Sequence, residues 1–406
     1  MLFMIDFLSL KKDAYGLEIT DTHVRMMRLG RRHGRLFVAV AGCLALENGT
    51  VENGEIKNEA DLTAALKKLA EQSAAGKKKK RYAVVSLPEN KAFLQVIEMP
   101  KLDSEELRAA VVFESENHIP LPLEKVYLDF EIIPSKSLSR HRCEVAVAAL
   151  PKDIVDSRVR VCDAAGWSPI AMELESQAAA RSARVNCDSE SPAVIIKIGD
   201  AQSSVIFCSR NSIRAVFSTP ISNTYFVEKI ASALGVDARR AEILKSDCGI
   251  EEFRHSADSP DSGGGEEKKI FEALVPGLVD FVQQIQKYIH YYQTHEKFGT
   301  EEKKFKKILV CGIGSNLKGL DGFLSLKLGV AVERLVLPIE ADIHRLKTAG
   351  FLENGVHGYA VVAGLALRAL EIETFGAENF SFKCNEKHSV PMPAPAKRAL
   401  GKKIKK

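Results

Sequence analysis

The stretch AVIIKIGDAQSS (193–204) is a run of β-branched residues that enters a small polar turn; Gly199 opens the turn, and Ser203 and Ser204 carry hydroxyls just past it. Such a run, bounded by glycine and serine, predicts a strand followed by a tight turn. Backbone N–H groups in a turn of this kind form a concavity for anions, and neighbouring hydroxyls add donors, which is one way to hold a phosphate. A phosphate-and-magnesium site would place a carboxylate near the end of the strand. Lys197 stands there instead.

Two other turns have related chemistry. YGLEITDTHVRMMRL (15–29) is a second strand–turn–strand unit, and CGIGSN (311–316) sets glycines between a strand and a helix, where a nucleoside can approach the backbone and the helix start. A single small polar or glycine turn after a strand arises by chance. Three of them, ordered across two halves of the chain, point to a duplicated α/β domain that closes on a nucleotide.

With 406 residues, 46% of them hydrophobic and 27% charged, the chain is long enough for a large core in two or three domains. A net charge of +4 and the absence of a basic stripe interleaved with aromatics argue against nucleic-acid binding. The eight cysteines show no C-x-x-C pair and no metal-ligand spacing, so they are expected to be structural thiols in a reducing compartment, with no metal site. No apolar run reaches the ~20 residues that span a bilayer. MLFMIDFLSLKK (1–12) is a short apolar leader without a cleavage site; it either folds onto the body or touches a membrane surface.

Between the turns, RLFVAVAGCLAL (35–46) predicts a third strand, NEADLTAALKKLAEQ (58–72) a helix capped by Asn58, AGKKKKR (75–81) a solvated turn, and RYAVVSLP (81–88) a strand. A strand (92–100), a capped helix (103–119) and two strands (126–133, 142–150) form a compact unit. Helices at 152–166 and 173–183 flank a short strand at 167–171. After the strand at 212–220 come helices at 223–235 and 237–247, a Ser/Asp/Gly-rich loop (254–267) read as disordered, and a long amphipathic helix starting at Pro276 (276–295). An apolar helix (356–370) ends the folded part. The tail from Lys383 holds eight Lys or Arg and several prolines; it is expected to be disordered, with an anionic surface as its natural contact.

One segment narrows the fold to a family. AAVVFESENHIPLPLEKVYLDF (109–130) resembles the signature of the PilM family, actin-like proteins of type IV pilus assembly, in which a helix ending F-E-x-E-x-x-I-P-x-P-L leads into a strand bearing L-D-F. Phe113, Glu114, Glu116, Ile119, Pro120, Pro122, Leu123, Leu128, Asp129 and Phe130 match. The resemblance runs from about residue 14 to 370 and implies an α/β actin-like duplicated domain with an inserted strand–helix–strand–strand subdomain. Its expected parts are 13–92 and 151–190 for the first half, 93–150 for the insert, and 191–222 with 305–354 for the second half. Residues 223–304 form a helical nucleotide-side subdomain, 355–372 a closing helix, and 373–406 the tail.

The resemblance also implies a role. Such proteins are cytoplasmic at the inner face of the inner membrane, bind ATP, grip the N-terminal peptide of the membrane protein PilN, and link the platform to other pilus platform or motor proteins. Membrane association is then peripheral, through partners. GspL of type II secretion and the polymerising FtsA are related alternatives, and an active ATPase or kinase of the same superfamily is a third.

Carried over by resemblance, the first phosphate turn comprises Gly16, Glu18, Thr20, Asp21, Thr22 and Arg25. Here Thr20 replaces a glycine that would supply φ > 0, and Asp21 puts charge beside phosphates. The second turn comprises Lys197, Gly199, Ser203 and Ser204. Lys197 and Ala201 replace the two acids of the family pattern, so the usual hold on magnesium and on an attacking water is lost. The adenosine side comprises Glu242, Lys245, Gly312, Gly314 and Ser315, with Ile313 in place of a glycine. Lys197 either substitutes for the metal's charge or pairs with an acid such as Glu18 or Asp21 across an empty cleft. The expectation is a degenerate ATP site with weak or absent magnesium dependence and no catalytic residue. The peptide groove is expected to use Phe93, Val96, Val112, Phe113 and Ile119.

Overall fold

The computed structural model describes residues 14–72, 81–133, 141–186, 192–209, 212–250, 265–295, 305–340 and 356–375. The leader, the loop at 254–264 and the tail lie outside the described residues. The chain starts with a three-stranded meander: β1 (Ala14–Ile19), β2 (His23–Arg32) and β3 (Arg35–Ala45). A minimal hairpin follows, β4 (Val51–Glu52) and β5 (Glu55–Ile56), turned by Asn53 and Gly54, both at positive φ. Helix α1 (Glu59–Gln72) starts where the Asn58 side chain accepts from the Ala60 and Asp61 amides, and leads to β6 (Arg81–Leu87).

The insert comprises β7 (Phe93–Pro100), α2 (Ser104–Ser115), β8 (Val126–Ile133) and β9 (Arg142–Pro151), with sheet order β7-β9-β8. Asp103 caps α2 through the Glu105 and Glu106 amides. The helix ends at Ser115, short of the expected 119; residues 116–118 continue as hydrogen-bonded turns up to Ile119, which precedes Pro120, a position that disfavours helical backbone. Its apolar face covers Ile97, Met99, Val145 and Val147.

Helix α3 (Lys152–Ala164) returns to the first half, followed by β10 (Trp167–Leu174) and α4 (Glu175–Ala183). The strand runs three residues beyond the expected end, since Met172, Glu173 and Leu174 stay in register with Val85, Ser86 and Leu87 of β6. The second half holds β11 (Ala193–Ile198), β12 (Ser203–Ser209), β13 (Ser212–Thr219), α5 (Asn223–Leu234), α6 (Ala238–Asp247) and α7 (Glu266–His295). Helix α7 begins ten residues before Pro276: Ile270 and Leu274 continue the buried stripe of Leu278, Phe281 and Ile285. The chain continues through β14 (Lys307–Cys311), α8 (Leu320–Leu328), β15 (Ala331–Arg334), β16 (Ile339–Glu340) and α9 (Ala360–Phe375).

The strand orders are β10-β6-β1-β2-β3-β16 and β13-β12-β11-β14-β15, so β16 crosses from the second half to complete the first sheet. Helices α4 and α9 lie between the two sheets, in one core that joins Met27 and Val84 to Ile195, Ile206 and Leu309. Gly16 lets α9 approach β1, as a Cβ there would lie 2.5 Å from the Ala366 nitrogen. The insert also touches the second half: fully buried Arg214 on β13 donates to Glu144 on β9 at 2.7 Å. No described helix is long and apolar enough to cross a membrane.

Candidate functional site

The cleft lies where the C-terminal ends of the parallel strands β1, β6 and β10 face those of β11 and β14, the crevice in which open α/β sheets bind ligands. Seven of the fifteen nucleotide candidates line it: Glu18, Thr20, Asp21, Arg25, Lys197, Gly199 and Gly312. Glu175 and Asp200 line it too, and neither was singled out from the sequence.

Buried Arg25 on β2 sits across the β1–β2 ladder from Glu18 and reaches over the cleft to Asp200, with contacts of 3.0, 3.1 and 3.2 Å to its two carboxylate oxygens. Glu18 is farther off, at 3.6 Å. Burial alone would raise the Asp200 pKa, but the charge and hydrogen bonds of Arg25 outweigh it and hold the carboxyl down at about 2. The turn around Gly199 therefore keeps a carboxylate after all, one already committed to an arginine of the opposite half.

Lys197 answers to Glu175, not to Glu18 or Asp21 as the sequence suggested. Its Nζ hydrogen-bonds the Glu175 carboxylate, with both side chains largely buried. Burial works against the lysine's charge, yet the pairing with Glu175 leaves its pKa raised. Glu175 is the first residue of α4, where a carboxylate is favoured by the helix dipole. Glu89 caps the same helix end by accepting from the Ser176 amide at 3.0 Å.

The four acids Glu18, Glu89, Glu175 and Asp200 outnumber Arg25 and Lys197, and burial disfavours the charge on two of them. Burial pushes Glu18 up to about 7 and raises Glu89. Among the described residues no group of three His, Cys, Asp or Glu could hold a metal ion. What is left between the side chains is a cavity of ≈ 70 Å³, far below the ~300–1,000 Å³ of small-molecule sites.

These values fix a pH dependence. Between the free carboxyl value of 4.5 and the folded value of about 7, the folded protein holds the Glu18 proton more tightly than the unfolded chain does. Stability contributed by this group is complete below pH 4.5 and is lost as pH rises through 7. Glu18→Gln is expected to remove a loss of about 3 kcal/mol between pH 4.5 and 8, read from urea midpoints at the two pH values.

The other candidates are occupied elsewhere. Thr20 closes the turn through its hydroxyl and the His23 backbone at 3.0 Å, without a positive φ, so no glycine is needed there. Asp21 accepts from the Asn53 and Gly54 amides at 2.8 and 2.9 Å and so braces the β4–β5 turn; it lies at the cavity edge with its oxygens directed to backbone. The dipeptide Asn53-Gly54 in VENGEI was the legible signal for that hairpin. Gly16 lies under α9, Thr22 bonds the His23 ring, and Ser203 donates to the Ile221 carbonyl. Ser204, Gly314 and Ser315 are buried away from the cavity lining; the Ser315 hydroxyl donates to Gly312.

On the adenosine side, fully buried Lys245 on α6 hydrogen-bonds Asn223 and, at 2.6 Å, Glu242. Asn223 and Asn316 donate to the same Glu242 carboxylate at 3.2 and 3.4 Å. Burial lowers the Lys245 pKa although Glu242 pulls it the other way. Glu242 and Lys245 thus satisfy each other in a closed polar knot. Ile313 fills the cavity wall where the family pattern has glycine.

All five groove candidates on the insert keep solvent contact. Phe113 is 70% exposed and Phe93 36%, while Val96, Val112 and Ile119 are half-buried. Tyr127 and Ile132 on β8 are exposed as well and were not anticipated.

A chain of the PilM–PilN type IV pilus biogenesis complex is similar to this one at 24% identity with a TM-score of 0.71, covering 89% of this chain and 99% of that chain. More loosely, MreB5 of Spiroplasma citri bound to ADP matches at 11% identity and a TM-score of 0.49, covering 89% of this chain and 97% of its own. The ethanolamine utilization protein EutJ from Carboxydothermus hydrogenoformans matches at 13% and 0.48, covering 87% and 89%. The fold is actin-like. The family model described as type IV pilus assembly protein PilM matches residues 16–370, and the chain belongs to that family.

Proposed function

We propose that this chain serves type IV pilus assembly as a non-enzymatic adaptor that grips the N-terminal peptide of a PilN-like membrane protein. It works from the cytoplasmic face of the inner membrane, and its nucleotide cleft is degenerate. The observation that carries the proposal is the pairing of both cleft cations with acids of the opposite half, Arg25 with Asp200 and Lys197 with Glu175. A triphosphate would have to displace buried carboxylates from their partners before it could enter, and the acids that the family pattern places in the second turn, at 197 and 201, are absent. A scaffold role leaves the insert as the working surface. Phe93 on the edge strand β7 and Phe113 on α2 offer exposed apolar anchors there, which suits an extended peptide.

The test is fluorescence polarisation with a labelled peptide from the cytoplasmic N-terminus of the PilN-like protein encoded by the same genome. Binding is expected without nucleotide, unchanged by ATP and magnesium, and weakened about ten-fold or more by Phe113→Asp. Peptide binding that requires ATP, or steady phosphate release above the blank, would overturn the proposal.

A further inference from the structure

Each half of the chain offers the cleft a cation, and each fills the other's with an acid. Arg25 of the first half takes Asp200 of the second, and Lys197 of the second takes Glu175 of the first. The surroundings of Asp200 are the richer of the two. Its carboxylate enters the β1–β2 turn, where it meets the Arg25 guanidinium at 3.0, 3.1 and 3.2 Å and the His23 Nδ1 at 3.9 Å. Burial opposes the charge on Asp200, and Arg25, His23 and the Thr20 hydroxyl together outweigh it. All three of those residues lie on or beside one turn of the first half.

The second half holds that carboxylate in place. The Gly199 amide donates to the Gln202 carbonyl at 3.0 Å and closes the turn that carries Asp200. From the start of α5, the Asn223 and Thr224 amides donate to the Gly199 and Asp200 carbonyls at 2.9 and 3.0 Å. A Cβ on Gly199 would lie 2.6 Å from the Gln202 carbonyl oxygen, so the turn is tight as well as bonded. A tethered group competes with free ligands at an effective concentration of about millimolar or more, and pre-positioning strengthens its hold.

A guanidinium grips a carboxylate and a phosphate through the same two-pronged geometry. The turn that presents Arg25 sits at the crevice where open α/β sheets bind ligands, beside the cavity of ≈ 70 Å³. We infer that Asp200 is a built-in ligand: its carboxylate fills, in place of a free inorganic oxyanion, a pocket formed by Thr20, His23 and Arg25, and so joins the two halves without any bound molecule. This holds only if the cleft is degenerate, as proposed above. Withdrawing the carboxylate leaves a cationic pocket, and the adjoining cavity supplies the extra room that a tetrahedral anion needs.

Thermal unfolding of the full chain tests this, in chloride and in sodium phosphate at matched ionic strength, for the wild type, Asp200→Ala and Arg25→Met/Asp200→Ala. Phosphate at about 10 mM is expected to raise the midpoint of Asp200→Ala by about 2–3 °C, the shift for an anion at ten times its dissociation constant. The wild type is expected to shift by less than about 0.5 °C because its pocket is filled. The double variant is expected to behave likewise, because it lacks the guanidinium. Asp200→Ser, too short to reach Arg25, carries the same expectation as Asp200→Ala where the alanine variant does not fold. No shift in either single variant, or an equal shift in the double variant, would overturn the inference. A comparable shift of the wild type with phosphate or ATP would overturn it together with the degenerate cleft. Failure in the variants alone leaves that cleft and the adaptor role standing, since peptide binding is read separately.

Discussion

Asp200→Ala is expected to lower the unfolding free energy by about 3–5 kcal/mol, because it leaves Arg25 buried and charged without its partner. Arg25 and Asp200 belong to opposite halves and share three short contacts with almost no solvent. Removing the carboxylate deletes the favourable Coulomb term and keeps the whole desolvation cost of the guanidinium. The double variant Arg25→Met/Asp200→Leu is expected to recover most of the loss, since replacing a buried ion pair with apolar side chains is often neutral. Urea unfolding of Arg25→Met, Asp200→Leu and the double gives the coupling energy directly. Equal and additive losses would mean that the pair does not hold the halves together.

Gly364→Ala is expected to cost about 3 kcal/mol, at the upper end for an added methyl in a packed interior. An ideal Cβ on Gly364 would lie 1.9 Å from the Ala178 carbonyl oxygen and 2.5 Å from its carbon. Both are backbone atoms of α4, so no side-chain rotation relieves the overlap, and α9 must lift from α4 along the core between the sheets. Gly358→Ala is the matched control: its nearest atom is 3.7 Å away, an ordinary contact, and the expected change is within about 0.5 kcal/mol. Thermal or urea midpoints of the two variants decide the point.

Local patterning made most of the fold legible. The meander, the capped helices α1 and α2, the insert and the three polar turns all follow from alternation, caps and turn residues, which act over a few neighbours. The misplaced boundaries have local causes as well. Pro276 reads as a helix start because proline is favoured at the first turn, whereas the burial of Ile270 and Leu274 outweighs the one hydrogen bond lost at that proline. Glu173 and Leu174 read as helix until the β6 register claims them.

The cleft was legible only in part. That a lysine, Lys197, stands where a phosphate-and-magnesium turn would place a carboxylate could be read from the strand and turn alone. Its partner could not be, because Glu175 sits on another element and Asp200 meets a residue 175 positions away. Pairing across a cleft is decided by the folded geometry, and no spacing rule carries it. The same holds for Asp21: a charge beside a supposed phosphate turns out to brace a two-residue hairpin.

The buried bond from Arg214 to Glu144 changes what the insert is in mechanical terms. The backbone already fastens the insert to the first half at both of its ends, and this bond fastens its middle to the second. The three bodies therefore form a closed frame instead of a flap on a hinge. A pull applied at the insert is shared by both halves at once, and stiffness comes from the loop of connections more than from the strength of any one of them. Such a frame transmits load with little travel.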